Sequence, residues 1–527
     1  MPTHCDSARR QYDLIVIGAG ISGLAVAKHA LSAGLSVLVL EQTFRVGGIW
    51  AFDPDKPGGV MYSTRINVSK HNYAFAGFPF PDGAPDFPDN REMHKYISDY
   101  VQHHGILEHI RFGTQVIGLE QSAQDRWVVS TRTTDGHTAD SWSTRFVSIA
   151  SGHHSVPLYP DIPGLNDFNG TVLHSAQYKG NRFCDVDDKD VVVVGLGNSG
   201  VDVACDVAER ARSVTVSARS GAWVLSNHVF GYPADLYAPR LIKWLPWQWV
   251  SAAYEKAILL TVGHPDKFGL KPKHRALRSH PTLGTRFIHL LQNRQIEAKG
   301  EIQRIVGDRV IFGDECSHKA DTIILCTGYQ ISFPFLPEEI RSAVFGGHVN
   351  DVNLYMNMFV PEIGSSLSFI GLVQPESGGL LSMSEMQARW LIELIKSKVA
   401  LPPVRSMKSR IEQDKERNLK QYAESPRHTI QRSPIAYNDE IASWIGQPVL
   451  QGRSLGLRFR MIFGTGGVNQ WTARSDDQDD QRLSAAIRSV PVPPAMKMLG
   501  CIAVSGAVLL AGLVCIFLVW VGLLLFA

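Results

Sequence analysis

Two runs of this 527-residue chain join an apolar stretch to three glycines at fixed spacing, LIVIGAGISG at 14–23 and VVVVGLGNSG at 191–200. The spacings Gly18-x-Gly20-x-x-Gly23 and Gly195-x-Gly197-x-x-Gly200 let backbone turn tightly, approach a pyrophosphate and pack a helix against a strand. Asn198 and Ser199, inside the second run, belong to the same candidate site. After Gly23 the next apolar strand, SVLVLE, ends on Glu41, an acceptor for a ribose 2′-hydroxyl. The matching strand after Gly200, SVTVSARS, offers Ser217 and Arg219 instead. A hydroxyl and a guanidinium suit a 2′-phosphate that a carboxylate would repel, although a surface arginine at a strand end is the alternative. One cradle therefore suits a non-phosphorylated adenine dinucleotide and the other NADPH, and two dinucleotides in one chain imply electron transfer. The pair in GGIW lets backbone crowd a cofactor beside an aromatic, so Gly48 and Trp50 favour FAD at the acid-terminated site.

Each glycine turn requires a strand before it and a helix after it, so the predicted class is α/β with two Rossmann-like dinucleotide-binding domains. The length suits two or three domains. Fifty-two basic residues against 50 acidic ones give no reason to expect nucleic acid as a partner. Seven scattered cysteines without a C-x-x-C fit a reducing compartment. The adjacent His153 and His154 look like metal ligands, but neighbouring side chains in a turn diverge, and no metal site is expected. Residues 498–527 carry no formal charge and follow Lys497. That length exceeds the about 20 residues a membrane-spanning helix needs, which predicts a C-terminal transmembrane tail anchor. No secretory signal precedes LIVIGAG, so residues up to about 490 are expected in the cytosol, where NVS at 67–69 and NGT at 169–171 would stay unglycosylated.

Further motifs resemble those of the flavin-containing monooxygenases, and among them the membrane-tethered animal type. The most specific is Phe168-x-Gly170-x3-His174-x3-Tyr178, just ahead of the second cradle; read from its residues alone it is a linker with a core phenylalanine and a satisfied histidine. CTGY at 326–329 and ASGHHSVP at 150–157 resemble the family's two crossings between domains, and SEMQARW, with Gln387, the helix set against the flavin's pyrimidine end. In RINVSKHN, Asn67 stands where the family has its asparagine beside the reactive flavin edge; a structural turn asparagine is the alternative. Glu376 and Cys326 depart from the family pattern.

The resemblance implies a split FAD domain (1–155 and 325–445) with an NADPH domain (156–324) inserted, the insert carrying a helical segment near 235–285. Residues 446–494 read as an extension and polar linker, with TARSDDQDDQR as its solvated part. The tryptophan-rich stretch 241–263 reads equally as an interfacial membrane helix or as packing against the FAD domain. The implied chemistry is NADPH reduction of FAD, formation of a C4a-hydroperoxyflavin with O2, and oxygen transfer to a soft nitrogen or sulfur of a small amine or sulfide. Asn67 is the candidate catalytic residue. Rival readings are Baeyer–Villiger oxidation of ketones, an NADPH oxidase releasing H2O2, and a membrane-anchored nucleotide-binding protein without turnover. The implied location is the endoplasmic reticulum membrane, catalytic part toward the cytosol. The oligomeric state stays open, a homo-oligomer included.

Overall fold

The computed structural model describes residues 11–498, apart from 123, 280–281, 424, 426–427, 466 and 473–476. Two sheets carry the two glycine turns. In the first, Gln11–Ile17 lies between Val37–Leu40 and Ala139–Ile149, all parallel. Val37–Leu40 pairs outward with Ile110–Arg111, while Trp127–Thr133 and Thr114–Gln121 extend the other flank antiparallel. Leu367–Phe369, distant in sequence, adds parallel to the end of Ala139–Ile149. The second sheet is wholly parallel, ordered Glu297–Lys299, Ser213–Ser217, Asp190–Val194, Thr322–Leu325, Thr171–His174. Its central strand, DVVVV, is apolar without alternation because helices and a small antiparallel sheet cover both faces, and Val191 to Val194 are all buried.

The registers of the two sheets correspond. Ile17 pairs with Leu40 and Ile149, and Val194 pairs with Ser217 and Leu325. Both glycine turns thus leave the carboxyl edge of a central parallel strand, where open α/β sheets bind ligands. Helices Ile21–Ser32 and Asn198–Val207 follow, starting on Gly20 and Gly197 with no acidic residue in the first turn, so their N–H groups and positive dipole ends are unopposed. The first helix packs on Leu380–Ile395, which packs in turn on Pro434–Trp444.

Two sequence expectations meet a different outcome. The run expected to be a solvated linker, 472–482, has 473–476 outside the described residues and is helical from Asp477, in a helix that continues to Ser489 because Leu483 and Ile487 recur one turn apart and are buried. Nor does the core stop at 445: Val449, Leu457, Met461, Val468 and Trp471 join it, and Arg460 donates to the carbonyl of Arg488 at 2.7 Å. The tryptophan-rich stretch becomes a short 3-10 turn, Arg240–Trp244, and a helix, Trp247–Thr261. The helix packs Ile258 into its own insert's small core, leaves Trp249 and Leu260 exposed, and is tied to the first domain through Arg240, whose guanidinium holds Asp439 at 2.7 and 2.9 Å. Among the described residues no helix is long and apolar enough to cross a membrane; the expected anchor, 499–527, lies outside them.

Candidate active site

A cavity of about 1700 Å³ runs from the first glycine turn to the insert's helix. Gly18, Gly20, Glu41, Gly48 and Asn67 line it, together with Tyr73, Asp235 and Tyr254. Gly18 has φ +107°, and a Cβ there would stand 2.7 Å from the Ala150 carbonyl oxygen; Gly195 repeats this with φ +100° and 2.6 Å to that of Cys326. Only glycine fits such a backbone so close to another backbone segment. A Cβ on Gly23 or Gly200 would fall 1.9 or 2.0 Å from the Gly18 or Gly195 carbonyl oxygen. The two crossings ASG and CTG therefore run behind equivalent cradles, and each cradle is filled by glycine for the same contacts.

Glu41 is buried, with one carboxylate oxygen accepting from Ala19 N–H at 2.8 Å and the other from the N–H and Oγ1 of Thr43, each at 2.8 Å. A carboxylate has about four acceptor positions, so three are occupied and one remains on a side chain that lines the cavity. Gly48 closes over the turn, a Cβ on it standing 3.1 Å from the Gly20 Cα. Trp50 stands behind the wall, buried edge-to-face on Tyr73 and donating to its hydroxyl at 3.3 Å. Tyr73 is the ring that faces the cavity, its hydroxyl pushed up to about 12 by burial. Gln387 is also absent from the wall: its side chain accepts from Gly371 N–H and donates to Tyr437, both at 2.8 Å, holding two wall residues in place. Asn67 is half-buried on the wall, with no side-chain hydrogen bond to another described residue.

The second cradle opens to solvent away from this cavity, with Ser199 exposed and Gly195, Gly197 and Asn198 half-buried. Asn198 Oδ1 accepts from Leu283 N–H at 3.2 Å, so it braces the loop beside the turn. Ser217 does not point outward: its hydroxyl is buried and donates to the Gly300 carbonyl at 2.9 Å. Arg219 is left exposed beyond the strand end. Sequence reasoning passed over its neighbour, the basic run KPKHR at 271–275, which is laid alongside by the Lys273 N–H bond to Ser220 O at 2.9 Å. The signal available was the charge run itself.

The Phe168 to Tyr178 motif sutures elements together. A Cβ on Gly170 would be 2.4 Å from Asp321 O. His174 is fully buried; its Nδ1 accepts from Ala176 N–H at 3.1 Å, which puts the proton on Nε2, 3.1 Å from Gly328 O. Tyr178 donates to Asp206 at 2.7 Å. Of the departures, Cys326 is buried against the second cradle, its thiol pushed up to about 12 by burial. Glu376 lines the cavity and accepts from Gln421 at 2.8 Å and from Tyr422; burial holds its carboxyl above the ordinary value despite those donors. Burial also holds His153 well below the ordinary imidazole value, hence neutral. The described residues contain no cluster of three metal-ligating side chains.

Comparison with known proteins agrees with this geometry. The family model for flavin-binding monooxygenase-like proteins matches residues 11–464. Flavin-containing monooxygenase 5 of Homo sapiens is 34% identical over 452 residues, and flavin-containing monooxygenase 3 of Oryctolagus cuniculus 33% over 449, each match covering 82% of both chains. Among solved structures, S-allyl-L-cysteine S-oxygenase from Allium sativum superposes with a TM-score of 0.65 at 21% identity, over 91% of this chain and 98% of that one. An ε-caprolactone-bound cyclohexanone monooxygenase superposes at 0.60 and 16%, over 82% and 98%, and these two likenesses bear on the fold. With a family model spanning most of its length and relatives a third identical over four-fifths of it, the chain belongs to the flavin-containing monooxygenases and is an oxidoreductase of that family.

Proposed function

We propose that this flavin monooxygenase uses FAD in the first cradle and NADPH in the second to oxygenate soft nitrogen or sulfur atoms of small molecules. The observation that carries the proposal is that the first glycine turn, Glu41 and Asn67 line one cavity in a chain that repeats the same turn geometry in a second cradle. The residues present fit FAD: a Cβ-free turn and a helix N-terminus await a pyrophosphate, and Glu41 keeps one acceptor position for a ribose hydroxyl. NADPH fits the second cradle through the same turn and helix end, with Arg219 toward the 2′-phosphate. When bound, the reduced flavin supplies the two-electron activation of O2 that delivers one oxygen to a nucleophile. The chain's own task is to hold both nucleotides and exclude water. Tyr73 and Tyr254 line the cavity, and Asn67, whose amide is uncommitted, would face the flavin there.

The test is reaction of NADPH-reduced protein with O2 in the presence of a sulfide or a tertiary amine. One oxygen transferred per NADPH is expected, and Asn67→Ala should still be reduced by NADPH but release H2O2 in place of product. Peroxide alone from the wild type would make the protein an NADPH oxidase, and ester from a ketone with amines and sulfides untouched would make it a Baeyer–Villiger enzyme. We also propose tail anchoring in the endoplasmic reticulum membrane with the catalytic part in the cytosol. This reading is supported by the uncharged run 498–527 behind Lys497, and by the exposed Trp244 and Trp249.

A further inference from the structure

The loop bearing Asn67 is held from two sides. On the first-domain side, a Cβ on Gly379 would stand 2.5 Å from Asn72 O, and Val468 N–H donates to His71 O at 3.3 Å. On the other side stands one carboxylate, Asp235, in the 3-10 turn Ala234–Tyr237 of the insert. One of its oxygens accepts from Ser69 Oγ at 2.7 Å and from Asn72 Nδ2 at 2.6 Å; the other accepts from Ser69 N–H at 3.2 Å. Ser69 is fully buried, and Asp235 itself lines the cavity. The turn is not free to follow the loop, because Thr465 donates to Leu236 O at 2.9 Å and Arg240 is fastened to Asp439.

We propose that Asp235 is the positioning residue for Asn67, a bridge by which the insert of the nucleotide domain sets the orientation of the amide on the cavity wall. The proposal rests on the reading of Asn67 given above. Asp235 grips residues two and five places beyond Asn67, so a shift of the insert moves the peptide units that aim the Asn67 side chain. Asparagine at 235 would keep the shape but offer one acceptor oxygen for three donors, and its NH2 would face groups that donate to it.

The experiment compares holoenzyme with NADP+ bound in the wild type, Asp235→Asn, Ser69→Ala and Asn67→Ala. Hydrogen exchange by mass spectrometry over peptides covering 66–73 reads the loop directly, without turnover. Asp235→Asn is expected to speed exchange there by about tenfold, the factor carried by one charge-assisted hydrogen bond. In the same variant the share of NADPH electrons released as H2O2 should rise toward that of Asn67→Ala. Ser69→Ala, which removes a single bond, should move both readouts in the same direction by less, and it carries the test if Asp235→Asn does not fold. Faster exchange with an unchanged peroxide share would overturn the proposal, as would unchanged exchange. A peroxide share unaltered in Asn67→Ala as well would overturn the reading of Asn67 itself, and this proposal with it.

Discussion

Replacing Arg219 with alanine separates the two nucleotides by a single phosphate. Arg219 stands exposed past the strand end, and the hydroxyl expected beside it, Ser217, is committed to the Gly300 carbonyl. On the proposed reading the guanidinium is therefore left to make the 2′-phosphate contact, with only the neighbouring basic run beside it. A charge-assisted bond is worth about 1.5–3 kcal/mol, and a solvent-exposed position takes the lower end. At about 1.4 kcal/mol per decade, Arg219→Ala should lower kcat/KM for NADPH by about tenfold. With NADH, which has no such phosphate, the value should stay close to wild type. Stopped-flow bleaching of the flavin by each nucleotide measures both, and the NADPH preference should shrink with added salt because the pair is screened. Ser217→Ala should leave the ratio unchanged. Equal losses with NADPH and NADH in Arg219→Ala, or a larger change of the ratio in Ser217→Ala, would refute the assignment.

The tether at Asp439 makes an asymmetric prediction. Asp439→Asn leaves the buried Arg240 guanidinium facing an amide and Met461 O, and should cost about 3–5 kcal/mol, whereas Arg240→Met leaves the carboxylate with Lys243 at 2.8 Å and Trp471 Nε1 at 3.0 Å and should cost less. Burial alone would raise the Asp439 carboxyl, but Arg240, Lys243 and Trp471 hold it below its ordinary value. The stabilisation is therefore present above the unfolded value of about 4 and is lost as pH falls through the lower folded one, so urea midpoints of wild type and Asp439→Asn should converge in acid. A constant gap across that range would contradict the ion pair. Truncation before Met498 should release the protein from membranes in fractionation while leaving NADPH-dependent turnover intact; retention on membranes would point to the exposed Trp244 and Trp249 instead.

Most of what was legible concerned neighbours in the chain. The apolar runs, the glycine spacings and Glu41 lie within about thirty residues of one another, and a turn of that kind is dictated by hard-sphere contact between a few backbone units. Both cradles could thus be located, and the correspondence between them, from composition along short stretches. Trp50 and Gln387, read from their motifs as cofactor-binding residues, stand one layer behind the cavity wall, because an aromatic or amide type in a motif does not say which side of the backbone it faces. The helix over Asp477–Ser489 was hidden in the sequence by the polar, acidic composition of its first half, with Leu483 and Ile487 one turn apart as its trace.

By itself the sequence determined the α/β class, the doubling of the nucleotide turn and the contrast between Glu41 and Arg219, since each follows from local steric and electrostatic rules that need no knowledge of the rest of the chain. Tertiary structure alone decided that Ser217 bonds Gly300, 83 residues on, and that Asp235 reaches back 166 residues to Ser69. A buried hydroxyl or carboxylate must find whatever partners packing brings within about 3 Å, and that distance is set by how two sheets and an insert close on each other.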